Sequence, residues 1–563
     1  MLSRLGWTEF ALCILLPLYL LYLVQRWIAL RVSIKIPPLG WSKVPYIGHS
    51  LSFLRGGAEL HSMFEPYRKT TTPIHFNICG TDLFLINSPE IVKKIANKPH
   101  IFTEGALRGD FALKVLDLPK SAAQVLGNDN SGSALRPLPG SSLPPERRIV
   151  RMQHETTFNL LASPSGIHMF VLQFTNFMEK LILSNGIGEQ WVELPDLFHF
   201  IQNLTSTAMM NALCGPRLVG MNSDFVNEFW TFDLNIHYLN LGIARLFRPE
   251  GVNARDRCIK ALIEWKKNAI QDSVDKDYPE SLLWDETWGF KIMRDRDDMY
   301  SRFPEYCNDQ ARAGADLGIL WACNDNLIPV GFWLVQRILN SPSLRERFMK
   351  AFDNARLPSQ PGDILPRFNT HILAKTPFLQ STYHEVLRTQ VTSFTARTVR
   401  EDCQIGEYMF PKGSVTLSSS WGVHNNPGLW ESRPGAQEHP VEEFWPERFL
   451  VCPYERAARE GNSFPESEKD PEFSLKGLDG TFFPFGMGHN ACPGRHFATH
   501  AILNIAATML SVFEFEPIDT WAGEGMDYTT FGAPILSSVR VFGSFSQASD
   551  YDSDITDAQS ILL

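Results

Sequence analysis

FFPFGMGHNACPGRHFA, residues 482–498, decides how this chain is read. Phe485, Gly486, Gly488, Cys492 and Gly494 fit the spaced pattern F-G-x-G-x-x-x-C-x-G. Gly486 and Gly488 allow a tight turn and a close backbone approach to a flat cofactor. Backbone N–H groups in such a turn can face the Cys492 sulfur, hold it as thiolate and tune its potential, which suits a ligand to haem iron. Gly494 leaves room where the chain enters the next helix, expected over RHFATHAILNIAATML (495–510). A lone cysteine is more often a small buried apolar residue, and that reading serves the other eight. Here the whole spacing matches, so Cys492 is the expected metal ligand.

The rest of the chain narrows the alternatives. Of 563 residues, 44% are hydrophobic and 20% charged, which is the composition of a folded protein. Lys+Arg 52 against Asp+Glu 62 leaves a net charge of −10, which argues against a nucleic-acid partner. Nine cysteines, an odd number without any CxxC, fit neither a disulfide framework nor a zinc ribbon. A reducing compartment is expected for the bulk of the chain. His384-Glu385 begins a HExxH-like string, but Arg388 follows, so the second zinc ligand is missing. Neither GxxxxGK[ST] nor GxSxG occurs. Gly486-Met487-Gly488 is a fragment of a dinucleotide fingerprint without its βαβ surroundings.

Phe10 to Val24 is an uncharged apolar run, and WIAL follows after Gln25-Arg26. Together they approach the ~20 residues that cross a bilayer. Arg26, Arg31 and Lys35 follow the run and only Arg4 precedes it, which places the body on the cytoplasmic side. Residues 1–36 are therefore expected to be a transmembrane anchor, rather than a signal peptide with its small-x-small cleavage site. Pro37-Pro38 end it. A single body is expected over 37–545. It opens with a hairpin (73–79 and 82–87) and a Ser88-capped helix, and is mainly helical from Glu146 to about Phe348. Strands return after Thr392. NSGSALRPLPGSSLPP (130–145) reads as a mobile loop, and 453–480 has no periodicity. The tail, 546–563, is acidic and expected to be disordered.

The Cys492 pattern resembles the cytochrome P450 superfamily, the haem-thiolate monooxygenases, and the likeness runs from the anchor to about residue 545. It implies a mainly α fold with a small β portion, preceded by one transmembrane helix. It also implies heme b, and the endoplasmic reticulum membrane as location. The chain departs from the family at Asn490, with His489 beside it, where many members carry an Arg or His against a haem propionate. YHEVLRTQ puts Glu385 and Arg388 on one helix face at i and i+3. That pair alone is a weak signal, but FWPERF follows with Arg448 in the order of the family's Glu-Arg-Arg cluster, a structural clamp. Arg397 matches the usual propionate-binding arginine. Arg151 or His154 is a further candidate, equally well read as a solvated helix face.

ADLGILWACNDNLIPVGFWLVQRIL (315–339) reads as one long apolar helix interrupted by polar residues. In the family such a helix crosses the oxygen side of the haem, with the motif A/G-G-x-D/E-T. Ala322, Cys323, Asn324, Asp325 and Asn326 occupy those places. Pro329 cannot donate to the carbonyl of Asp325, so a kink is expected there. Asp325 and Asn326 are the expected proton relay. Asn in place of Thr, followed by Ile-Pro, resembles the branch of sterol 7α-hydroxylases, sterol 12α-hydroxylases and prostacyclin synthases. This implies a lipophilic polycyclic substrate such as a sterol or terpenoid. No flavin or NADPH motif is visible, so NADPH would act only through a separate flavoprotein reductase. Two alternatives remain open: a reductase-independent isomerase or dehydratase acting on a peroxide, and a non-catalytic haem-binding sensor.

Overall fold

The structure is a computed structural model that describes residues 37–41, 48–359, 363–452, 470–518, 526–527, 533–534 and 539–543. Residues 17, 20, 21 and 24 are also described, as helical. The expected anchor otherwise lies outside the described residues, as do the acidic tail and most of 453–480. Among the described residues no helix is long and apolar enough to cross a membrane.

The hairpin forms as the alternation predicts. Strand β1 (Ile74–Ile78) pairs antiparallel with β2 (Thr81–Ile86), and Ile74, Phe76 and Ile78 turn to one buried face. Helix α1 (Pro89–Ala96) follows, with the Ser88 hydroxyl accepting from the Ile91 N–H at 3.4 Å and Pro89 in the first turn. Then come β3 (Phe102–Thr103) and α2 (Gly105–Lys114). The 130–145 loop is tied down rather than loose. Buried Arg148 donates to the carbonyls of Ser131, Gly132, Ala134 and Leu135, and the Ser133 hydroxyl donates to the His489 carbonyl at 2.6 Å. A composition rich in Pro, Ser and Gly shows that no regular element forms, but not that a later arginine binds the loop's carbonyls.

The helical body comprises α3 (Ile149–Leu161), α4 (Pro164–Ser184), strand β4 (Val192–Leu194) and α5 (Leu197–Cys214). It continues with α6 (Phe225–Leu234), α7 (Pro249–Asp272), α8 (Lys291–Ser301), α9 (Asp309–Asn324), α10 (Leu327–Leu339) and α11 (Pro377–Gln390). Strands β5 (Phe394–Val399) and β6 (Val415–Ser419) return to the first sheet, whose order is β1-β2-β6-β5-β3. Among these five strands β2 and β6 pair in parallel and the other neighbours antiparallel. A short helix α12 (Ser420–His424) and the long α13 (Arg495–Val512) follow. Strands β7 (Phe513–Pro517) and β8 (Val539–Gly543) join β4 in a second, antiparallel sheet. The architecture is mainly helical with a small β part.

The core fixes the helix behind the cysteine loop. The Phe170 ring of α4 stacks on Phe497 of α13 at 4.4 Å and on Phe290 at 4.6 Å, and all three rings are buried. Each such side chain contributes roughly 1.5–3 kcal/mol through burial.

The expected single helix over 315–339 is two. Asp325 and Asn326 keep right-handed helical dihedrals, so the direction of the chain carries on. The hydrogen-bond ladder lapses because Pro329 has no N–H for the Asp325 carbonyl. Pro329 sits in the first turn of α10, where backbone N–H groups have no helical partner anyway. The ~3 kcal/mol cost of a mid-helix proline is thereby largely avoided.

Candidate active site

Gly486 and Gly488 adopt φ of +71° and +67°, the left-handed region open to glycine. A Cβ on Gly488 would lie 3.0 Å from the Ala96 carbonyl oxygen, so the loop also needs glycine to pass under α1. The turn closes on itself where the Cys492 N–H donates to the Phe485 carbonyl at 2.9 Å. Gly494 brings the start of α13 close: a Cβ there would stand 3.8 Å from Cys492 Sγ. Burial pushes the Cys492 thiol up. Backbone N–H groups of Gly494 and Arg495 and the Arg495 charge pull it down. Two N–H groups aimed at one sulfur are what a thiolate metal ligand requires. Cys323 at the end of α9 lies near enough to sense Cys492, and burial holds its own thiol at about 12. The polar end of α9 therefore stands across from the cysteine loop.

Glu385 and Arg388 meet on α11, fully buried. Arg388 binds the carboxylate with both arms, Nε to Oε2 at 2.7 Å and Nη2 to Oε1 at 2.8 Å. Arg448 Nε adds a bond to Oε1 at 3.0 Å, and so does the Trp445 N–H. The two guanidiniums also donate to the carbonyls of His424, His439, Pro440 and Glu443. This ties an irregular segment, 439–448, to α11.

His424 passes the clamp on to the cysteine loop and was missed from sequence, where an isolated histidine carries no signal. Its carbonyl accepts from Arg388 Nη1 at 3.1 Å, and its Nε2 accepts from the Phe483 N–H at 3.1 Å. It must therefore be neutral. Burial, then the Arg388 charge, lower it to about 3. Buried His384 is likewise lowered, to about 4, by burial. A histidine depressed in the fold binds protons more readily when unfolded. Stability is thus fully present above the unfolded value of about 6.5 and is lost as pH falls below it. We expect a loss of about 1.4 kcal/mol per pH unit for each such imidazole. Denaturant titrations across this range should show His424→Asn, which keeps an acceptor for Phe483, flattening the slope by one proton. An unchanged slope would mean His424 titrates normally in the fold.

Arg397 lies on β5, buried, and forms an ion pair with Glu104 at the start of α2, while its Nη1 donates to its neighbour's carbonyl (Ala396) at 2.9 Å. It lines a cavity of about 20 Å³ together with Phe483 and Met487 of the cysteine loop. A buried guanidinium beside that loop could hold a propionate by exchanging Glu104 for it. Arg151 instead turns along its own helix to Glu155 (2.7 Å), and His154 stacks on Phe158 at 5.5 Å. His154 is lowered by burial and then by the charge of Arg495 at the end of the loop, so it stands near the loop as a neutral imidazole.

At the helix break Cys323 and Asn324 are buried, Asp325 is half-buried and Asn326 is exposed. The Asn326 amide donates to Asp325 Oδ2 at 3.3 Å. Asp325 also meets a residue that sequence did not single out, Asp233 in the last turn of α6. Burial raises Asp325 to about 6 and Asp233 well above the ordinary carboxylate range.

A cysteine on a glycine turn with N–H groups on its sulfur, clamped by a buried Glu-Arg-Arg cluster and set across from an acidic helix break, is an arrangement that could hold haem iron through the sulfur. Residues 257–532 match the family described as Cytochrome P450. The cytochrome P450 monooxygenase fsoE of Humicola fuscoatra is 26% identical over 86% of this chain and 83% of its own length. Cytochrome P450 7B1 of Mus musculus is 27% identical over 57% of this chain and 59% of its own. The solved structure of retinoic acid-bound cyanobacterial CYP120A1 superposes with a TM-score of 0.59 at 16% identity, covering 91% of this chain and 100% of that one. The chain belongs to the cytochrome P450 superfamily and is a P450 monooxygenase. The family implies haem, and the residues present fit it: Cys492 for the iron, Arg397 for a propionate. Haem, when bound, supplies the oxygen-activating redox chemistry. The chain fixes the sulfur, excludes bulk water from α13 and the clamp, and places a carboxyl and an amide at the helix break.

Proposed function

We propose that this monooxygenase oxidises a lipophilic polycyclic substrate, of sterol or terpenoid type, with dioxygen and electrons from a separate flavoprotein reductase. The observation that carries the oxygenase over a peroxide isomerase is Asp325. Isomerisation of a ready-made peroxide needs no proton delivered to dioxygen, whereas oxygen activation does. Burial raises Asp325 to about 6, which brings its proton exchange close to neutrality, and Asn326 can both donate and accept beside it. The substrate class is supported by the Asn-x-Ile-Pro likeness to sterol hydroxylases. Residues 1–36 serve as a membrane anchor in this reading, with the body on the cytoplasmic face of the endoplasmic reticulum.

Co-expression with a reductase and a panel of lipophilic substrates tests it. Product formation should require NADPH, reductase and dioxygen. Asp325→Ala should slow it by ~10²-fold, the lower end of what a positioned acid contributes, while hydrogen peroxide release rises. Turnover of a lipid peroxide without reductase, indifferent to Asp325→Ala, would overturn the oxygenase. Recovery of the full chain in the soluble fraction of the same cells would remove the anchor.

A further inference from the structure

We propose that Asp233 and Asp325 form an acid–carboxylate pair that holds one shared proton at the break between α9 and α10, and that this pair is the proton donor of the site, recharged from water. The proposal rests on the reading of Asp325 as an oxygenase acid and adds a residue from a different helix.

The geometry is a short chain of polar groups. Trp321 Nε1 donates to Asp233 Oδ1 at 2.8 Å. The Asp233 and Asp325 carboxyls lie within hydrogen-bonding reach of each other. Asn326 Nδ2 donates to Asp325 Oδ2 at 3.3 Å. Ionised carboxylates only accept, so two of them hydrogen-bond to each other only when one carries a proton. The outer donors, indole and amide, cannot supply it.

The surroundings favour keeping that proton. Asp233 sits in the last turn of α6 and Asp325 caps the C-terminus of α9. Asp233 therefore stands at the negative end of a helix dipole, which disfavours its ionisation, while Asp325 lies between the C-terminus of α9 and the N-terminus of α10. Among the described residues the influences on the two carboxyls are burial, each other and Trp321. On α2, whose Phe111 ring lies 5.3 Å from Trp321, Arg108 is bound to Glu104 and Lys114 to Asp110. His237, just beyond α6, turns to Phe53 and the Phe53 and Leu54 backbone. Cys323 remains a neutral thiol. Burial first, then the Asp325 charge, raise Asp233; burial raises Asp325, and the hydrogen bond from Asp233 draws it back down, so the proton rests on Asp233 and the pair titrates as a unit.

Such a pair re-arms itself. When the pair gives up its proton through Asp325, two adjacent half-buried carboxylates remain. Their repulsion raises the affinity for the next proton from water. Asp233 is thus a positioning residue that acts through Asp325.

Infrared spectroscopy of the haem-loaded full chain with ¹³C-carboxyl aspartate tests the pairing without turnover. At neutral pH the wild type should show an isotope-shifted protonated-carboxyl C=O band. Asp233→Asn should lose it, because Asp325 then accepts from an amide and stays ionised. Absence of the band in the wild type, or its persistence in Asp233→Asn, overturns the pair whatever the enzyme's need for reductase. In reductase-driven turnover Asp233→Asn should release several-fold more hydrogen peroxide per NADPH, and unchanged coupling overturns the donor role. If Asp233→Asn loads no haem, Trp321→Phe serves instead. Removing a donor to the charged form should move the band's midpoint to higher pH, and an unmoved midpoint refutes the arrangement.

Discussion

Replacing Cys492 by alanine should abolish the red-shifted Soret band that thiolate ligation gives the reduced carbon-monoxide complex. The expected change is complete rather than graded, because the buried thiols of Cys323, Cys214 and Cys258 are held neutral. Cys323 is the cysteine that senses Cys492 most directly, and burial holds it at about 12, a neutral thiol with no cation beside it except a weak pull from Arg296. Cys214 and Cys258 are buried with thiols pushed still higher. Cys492 differs from these in the two backbone N–H groups directed at its sulfur and in the nearby charge of Arg495, whose guanidinium donates to the Cys492 carbonyl at 3.0 Å. These only oppose the burial that raises it, so the remaining stabilisation of the thiolate must come from the iron itself. Cys323→Ala should leave the band in place. A Cys492→Ala protein that keeps the band would move the ligand to another cysteine and undo the assignment of the whole loop.

What was legible in the sequence was what is local. The cysteine loop carries its geometry in its own spacing, since a turn needs its glycines within a few residues of the ligand. Glu385 and Arg388 were legible because i and i+3 share a helix face. Arg448 was added by its order in a family likeness, and the fold brought it to the same carboxylate. Illegible were the partners supplied by distant chain. Asp233 looks like any helix-end acid until α6 is laid against the end of α9. Glu104 gives no sign that it will face Arg397. His424 matters through its backbone carbonyl and one ring nitrogen, neither of which a composition or period records. The single helix expected over 315–339 failed for a related reason. The apolar pattern continues through Asp325 and Asn326 because the direction of the chain does, while hydrogen bonding stops at a proline that serves as a first-turn residue of the next helix.

Glu385→Ala should yield little soluble, haem-loaded protein. The wild-type carboxylate accepts four bonds: two from Arg388, one from Arg448 and one from the Trp445 N–H. Both guanidiniums are fully buried, and Arg388 also lies over the Trp430 ring at 5.4 Å. Alanine leaves two cations in the interior with only carbonyls to face. Removing one partner of a buried ion pair costs about 3–5 kcal/mol. That is comparable to the whole stability of a typical domain, about 5–15 kcal/mol. The damage should reach the haem site because the clamp is continuous with it, from Arg388 through the His424 carbonyl and imidazole to the Phe483 N–H. Glu385→Gln keeps the shape and one acceptor oxygen but loses the charge, so its yield should fall between alanine and wild type. The haem-to-protein ratio of the soluble fraction measures the series. A fully loaded, soluble Glu385→Ala protein would mean that carbonyls and aromatic faces alone hold the two arginines. The cluster would then be a consequence of how segment 439–448 packs, not its cause.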